Sequence, residues 1–166
     1  MAVYFFCIHA YRNWRPDHPR GFTKKGDGYQ PPDHDLAEQY DLNAVQEPAS
    51  FDDPIQREIL VYSHDICTTE GWKLEAIGFD PGHLHVLISW RDFVDWKWVD
   101  QRLKNLLALK LNRRHDSPGR RWFARRHGAP RRVDARGYFD HLVEKYIPDH
   151  PGLFWKHGME LPRLEK

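Results

Sequence analysis

The chain predicts an α+β fold of ferredoxin-like type, a split βαβ antiparallel sheet with helices on one face and an extra C-terminal helix. Two observations predict it. The elements follow in the order strand, helix, strand, strand, helix, strand, helix, and one compact turn signal, Asp80-Pro81-Gly82, folds the second and third strands into a hairpin. At 166 residues, with 40% hydrophobic and 14% aromatic residues, the chain is about one domain long on a prior of ~100–200 residues per domain. It reads as a single domain over 1–166.

Val3 to Arg12 is rich in aromatic and β-branched residues and reads as the first strand. Residues 13–50 then lose periodicity and carry Pro16, Pro19, Pro31, Pro32 and Pro48, as a long loop or insertion does. Asp52-Asp53-Pro54 has the acidic cap and first-turn proline of a helix start. Ile55, Ile59, Leu60, Tyr62, Ile66 and Cys67 recur near helical spacing up to Gly71. Trp72–Phe79 and His83–Trp90 read as strands. Residues 94–115 read as a helix with Trp98, Leu103, Leu106, Leu107 and Leu111 on its buried side. A short fourth strand is expected around Trp122–Val133 and a last helix over 137–147, with Pro148, Pro151 and Gly152 breaking regular structure beyond it.

No apolar run approaches the ~20 residues of a membrane span, and a signal peptide is not expected from MAVYFFCIHAYR. Cys7 and Cys67 are too few for a disulfide framework or a Cys-rich zinc site. These features predict a cytoplasmic protein without a membrane partner.

The net charge of +1 hides an uneven distribution. Residues 101–136 hold 12 basic and 2 acidic groups, an excess of ten positive charges. Such a stretch is a candidate phosphate-binding surface. Its candidates are Arg113, Arg114, Arg120, Arg121, Arg125, Arg126, Arg131 and Arg132, with Trp122 placed to stack on bases. A merely solvated basic face is the alternative.

The most informative stretch is Gly82-His83-Leu84-His85-Val86-Leu87-Ile88-Ser89-Trp90. Side chains alternate across a strand, so His83 and His85 share one face while Leu84, Val86, Ile88 and Trp90 share the other. Two imidazoles one strand repeat apart can converge on a divalent ion. Two exposed or hydrogen-bonded histidines would give the same pattern. Further ligands are open among His64, His127, His141, His150 and many carboxylates. Tyr146-Ile147-Pro148-Asp149-His150-Pro151 sets a phenol and an imidazole four residues apart, on one face if the segment is helical. Pro148 biases Ile147 away from helical geometry.

Together these residues resemble the single-tyrosine HUH transposases, the insertion-sequence and REP-associated tyrosine transposases. The family's hallmark strand, Pro-Asn-His-hydrophobic-His-hydrophobic-hydrophobic, is matched by Pro81-Gly82-His83-Leu84-His85-Val86-Leu87, with Gly82 in place of Asn. The family's later tyrosine motif, often Tyr-Ile-x-x-Asn-Pro, is matched by Tyr146 through Pro151. Gly71-Trp72-Lys73-Leu74-Glu75-Ala76 and Arg126-His127-Gly128-Ala129 are also similar, so the likeness spans most of the chain apart from much of 16–50. Gly82 and Pro148 are its two departures.

The resemblance implies Tyr146 as nucleophile, His83, His85 and His150 as metal ligands, and Mg²⁺ or Mn²⁺ as cofactor. It implies DNA-strand cleavage and joining on single-stranded or hairpin DNA, through a 5′-phosphotyrosine that stores the phosphodiester energy. It leaves a homodimer open. Two other classes stay in view: a non-catalytic nucleic-acid-binding module on a ferredoxin-like sheet, and a metal-dependent hydrolase in which bound water attacks.

Overall fold

The computed structural model describes residues 1–24, 26–91, 93–125 and 128–165. The expected first strand is β1 (Ala2–His9). Residues 13–50, expected as loop, contain a small hairpin, β2 (Phe22–Lys24) with β3 (Gly28–Gln30), and a helix α1 (His34–Leu42) capped by Asp33. The prolines bracket these elements and do not interrupt them, so composition masked them.

Helix α2 (Asp53–Glu70) starts and stops where its signals fall. Asp52 Oδ1 accepts from the Ile55 amide, Pro54 occupies the first turn, and Gly71 closes the helix in the left-handed region. Strands β4 (Lys73–Asp80) and β5 (His83–Trp90) form the expected antiparallel hairpin. Helix α3 spans Trp96–Arg114. Its inner face holds Val99, Leu103, Leu107 and Leu111, while Trp98 is half-exposed, contrary to expectation. Trp98 lies one position off that stripe and meets Trp72 edge-on.

The expected fourth strand shrinks to β6 (Arg131–Arg132), with a separate bridge between Phe123 and Ala10. Helix α4 (Arg136–His141) runs on into a π-helical turn over Leu142–Tyr146. A further strand, β7 (Phe154–Lys156), was not foreseen. Three residues among Pro and Gly carry too little periodicity to register. The five-stranded sheet has the order β6-β1-β5-β4-β7, antiparallel throughout.

Alternation sorts the sheet into two faces. Phe6, Ile8, Leu84, Val86, Ile88, Ile77 and Phe79 pack with Ile59, Leu60, Leu103 and Leu107 of α2 and α3. Burying such side chains contributes roughly 1.5–3 kcal/mol each before conformational entropy is counted. The opposite face is partly covered by the C-terminal helix. Ala76 and Leu87 of the sheet pack there against Leu142, Val143 and Ile147, with Val3 and Phe5 at the margin. That second packing brings the tyrosine helix over the histidine strand.

Candidate metal and tyrosine site

His83 and His85 project from β5 onto the face covered by the C-terminal helix. The turn before them is fixed by Asp80, whose Oδ1 accepts from the amides of Gly82 (2.7 Å) and His83 (3.0 Å). The same oxygen lies 2.9 Å from His83 Nδ1. A carboxylate there accepts the Nδ1 proton, leaving the His83 Nε2 lone pair to point into the site.

His83 Nε2 and His85 Nε2 are 3.0 Å apart. The His85 ring lies parallel to Phe5, with centroids 5.2 Å apart. It is buried at 4% exposure, and its Nδ1 has no hydrogen-bond partner. Burial holds the His85 pKa down to about 3, with His150 and His83 adding to the effect. Burial also lowers His83, against the opposing pull of Asp80. Both rings are neutral at neutral pH, the form that ligates metal.

The π turn brings in the other two groups. Its i→i+5 bond runs from the Ile147 amide to Leu142 O at 3.0 Å. Pro148 has no amide for Glu144 O, and its ring would crowd that carbonyl in a regular α-helix. Widening the preceding turn relieves that crowding, so Ile147 keeps helical angles (φ −67°, ψ −42°) and the chain reaches His150. The expected conflict between Pro148 and the tyrosine segment is thus met by a π turn, an irregularity found often at functional sites.

His150 Nδ1 lies 3.0 Å from Tyr146 O and 3.2 Å from Ile147 O. A carbonyl only accepts, so Nδ1 carries a proton and Nε2 is the ring nitrogen left for a ligand. Ring centroids put His150 4.2 Å from His85 and 5.9 Å from His83. Tyr146 meets His85 at 5.5 Å, His150 at 5.3 Å and Phe5 at 5.7 Å. The phenol remains 42% exposed, open to a substrate.

The four residues expected from the hallmark and tyrosine motifs are therefore neighbours. The Nε2 atoms of His83 and His85 fit a divalent cation on this geometry. Lone pairs 3.0 Å apart repel unless a proton or cation lies between them. Two ligands at right angles around an ion at ~2.1 Å also stand ~3.0 Å apart.

Gly82, the departure from the hallmark, has a local cause. A Cβ at 82 would fall 2.6 Å from Asn13 Cγ and 2.7 Å from its Nδ2. The Asn13 amide fills the space a side chain at 82 would take. Sequence reasoning missed Asn13, Asp80 and Phe5. Period-two alternation in β1, which puts Phe5, Cys7 and His9 on one face, was the signal available for Phe5.

The basic stretch is more fragmented than its charge count suggests. Arg114 pairs with buried Glu58 at 3.2 Å, Arg102 with Glu70 at 2.9 Å, and Arg132 with Asp134 at 2.8 Å. Arg120 donates to the carbonyls of Glu47 (2.6 Å) and Pro48 (2.8 Å). Arg131 donates to Tyr138 Oη at 3.1 Å, and Arg113 is exposed in the last turn of α3. Trp122, expected to stack on bases, is instead 9% exposed and donates Nε1–H to Asn112 Oδ1 at 2.7 Å. Its ring belongs to the core beside α3. Arg126 and His127 lie outside the described residues.

What remains of the expected surface is a cleft of about 770 Å³ between α3 and residues 120–125. Arg121 and Arg125 line it with Lys97, Lys104, Trp96 and Tyr11. Arg121 lies over the Tyr11 ring at 5.7 Å. The Ala124 amide bonds to His9 O, and His9 stands 5.5 Å from His83 by ring centroids, so the end of β1 links the rim of the cleft to the histidine strand.

No family model and no curated protein matches the chain. Among solved structures, it is similar to a REP-associated tyrosine transposase bound to a REP hairpin. The identity is 14% and the TM-score 0.48, over 88% of this chain. The chain spans 64% of that protein's length. The likeness is one of outline, and the chemistry rests on this chain's own residues. Among the described residues, no helix is long and apolar enough to cross a membrane.

Proposed function

We propose that this chain cleaves and rejoins one DNA strand through Tyr146, as a metal-dependent tyrosine transposase or nuclease. The observation that carries the reading is the convergence of Tyr146 and His150, delivered by the π turn, on His83 and His85 from β5. His83 and His85, with His150 beside them, would hold a divalent cation, which would draw charge from the scissile phosphate. Tyr146 Oη attacks phosphorus and the P–O3′ bond breaks. The phenol loses its proton and the departing 3′ oxygen gains one, which leaves a 5′-phosphotyrosine and a 3′-hydroxyl. Attack by a 3′-hydroxyl on that linkage reverses the step and joins strands. Phe5 packs the phenol edge-on, and the His150 bond to Tyr146 O fixes the turn that presents it. Single-stranded or hairpin DNA follows the Arg121–Arg125 cleft, where cations neutralise phosphates and Trp96 and Tyr11 offer ring faces.

The test is a denaturing gel of protein with labelled single-stranded DNA and Mn²⁺. Wild type should give a covalent adduct, mapped to Tyr146 by mass spectrometry. Tyr146→Phe should fold and bind DNA yet give none, while Tyr138→Phe, eight residues earlier, should keep it. Cleavage without any adduct would favour attack by water, and an adduct on Tyr138 would overturn the assignment.

A further inference from the structure

The histidine pocket holds one more donor. Cys7 on β1 stands directly opposite His85 on β5, and directly opposed residues of paired strands share a sheet face. Its Sγ and one ring nitrogen each from His83 and His85 all lie within 4.8 Å of one another. Sγ is also 3.6 Å from His9 Nε2. Cys7 is a free thiol, not a disulfide partner. A thiol alone would be only a small, partly buried side chain. The second observation is His85, 4% exposed, whose Nδ1 has no hydrogen-bond partner.

We infer that Cys7 is a ligand of this centre and that Cys7, His83 and His85 make it a zinc-class site, one that holds Zn²⁺ in preference to Mg²⁺. The inference rests on the proposed reading that the histidines hold a metal. Donor chemistry supports it. Mg²⁺ prefers oxygen ligands and keeps several waters, whereas imidazole and thiolate suit Zn²⁺ and its neighbours in the transition series. His83, His85 and His150 offer nitrogen only, and Cys7 adds sulfur. Asp80, the nearby carboxylate, is engaged by two amides and the His83 ring. Binding of Zn²⁺ would release the thiol proton to solvent and form the Zn–S bond, with no change of oxidation state. Catalytic zinc sites take three protein ligands and leave a fourth position for water or substrate. Cys7, His83 and His85 supply three, with His150 a neighbour of this set and not one of its ligands.

The experiment uses Co²⁺ as the spectroscopic probe and Zn²⁺ by competition with a chromophoric chelator. Wild type should show a near-ultraviolet thiolate-to-cobalt charge-transfer band together with visible ligand-field bands. Cys7→Ser should lose the first and keep the second, and its Zn²⁺ affinity should fall at least tenfold with Mg²⁺ affinity unchanged. Zn²⁺, but not Mg²⁺, should slow alkylation of Cys7 in the native wild-type protein. Ligand-field bands without the charge-transfer band, with equal Zn²⁺ affinity in Cys7→Ser, would overturn the inference while leaving the histidine site standing. No Co²⁺ binding by wild type, or binding unaffected by His83→Ala with His85→Ala, would overturn both.

Discussion

Gly78 lies against the backbone of Ile147: a Cβ at position 78 would stand 2.7 Å from the Ile147 carbonyl oxygen and 2.6 Å from its Cγ2. Gly78 is also the β4 partner of His85 across the sheet. The missing side chain lets the residue after Tyr146 settle on the strand beside the histidine. Gly78→Ala should cost about 1–3 kcal/mol through overpacking. Because the strain falls on Ile147, adduct formation should drop at least tenfold at temperatures where the variant is still folded by circular dichroism. A variant with normal adduct yield would show that the Ile147 contact does not position the phenol.

A related contact makes the second prediction. Gly82→Ala should destabilise the protein by about 1 kcal/mol, because its Cβ meets the Asn13 amide. Asn13→Gly in the same chain should recover most of that loss, giving a coupling energy in a double-mutant cycle of urea midpoints. Additive effects would mean that the two residues do not share the space.

The buried histidine sets an acid limit. The His85 pKa is about 3 in the folded chain and near 6.5 when unfolded. A lowered folded value means that the unfolded state takes up protons first. The contribution is complete above about pH 6.5 and is lost as pH falls toward 3. In EDTA, the urea midpoint of wild type should fall between pH 7.5 and 4.5 by more than that of His85→Gln. Equal losses would assign the acid sensitivity to other groups.

The two kinds of arginine should separate in salt titrations. Arg121→Ala and Arg125→Ala should each reduce the slope of log affinity for single-stranded DNA against log salt by about one. Arg114→Ala should leave the slope alone and lower stability by about 1 kcal/mol or less. Its partner Glu58 keeps His115 at 2.6 Å, and Arg114 itself is partly solvated. A slope change in Arg114→Ala equal to that of Arg125→Ala would place DNA at the end of α3 as well.

The sheet core and both long helices were legible because their signals are local. Asp52, Pro54 and Gly71 mark one helix within its own sequence, and alternation in His83–Trp90 sorts one strand without reference to the rest. Residues whose role depends on a distant neighbour were not legible. Asn13 fills the space beside Gly82 across a stretch that looks like loop, and Glu58 neutralises Arg114 from 56 residues away. Trp122 looked like a stacking residue because its sequence neighbours are arginines, yet its indole is claimed by Asn112 on α3. Pairing the phenol with the histidines needed the resemblance, since spacing within 146–150 gives no bearing on residue 83.

The segment after β6 crosses the sheet from rim to rim. It leaves the β1 side at β6, lays α4 and the π turn over the histidine face, and is sewn back on the β4 side by β7. Stitched at both ends, the phenol is held over the imidazoles of its own polypeptide. One copy of the chain thus carries every group named in the proposed site. Mixing Tyr146→Phe with His85→Ala protein should restore nothing, because neither copy can lend its intact half without unzipping β7.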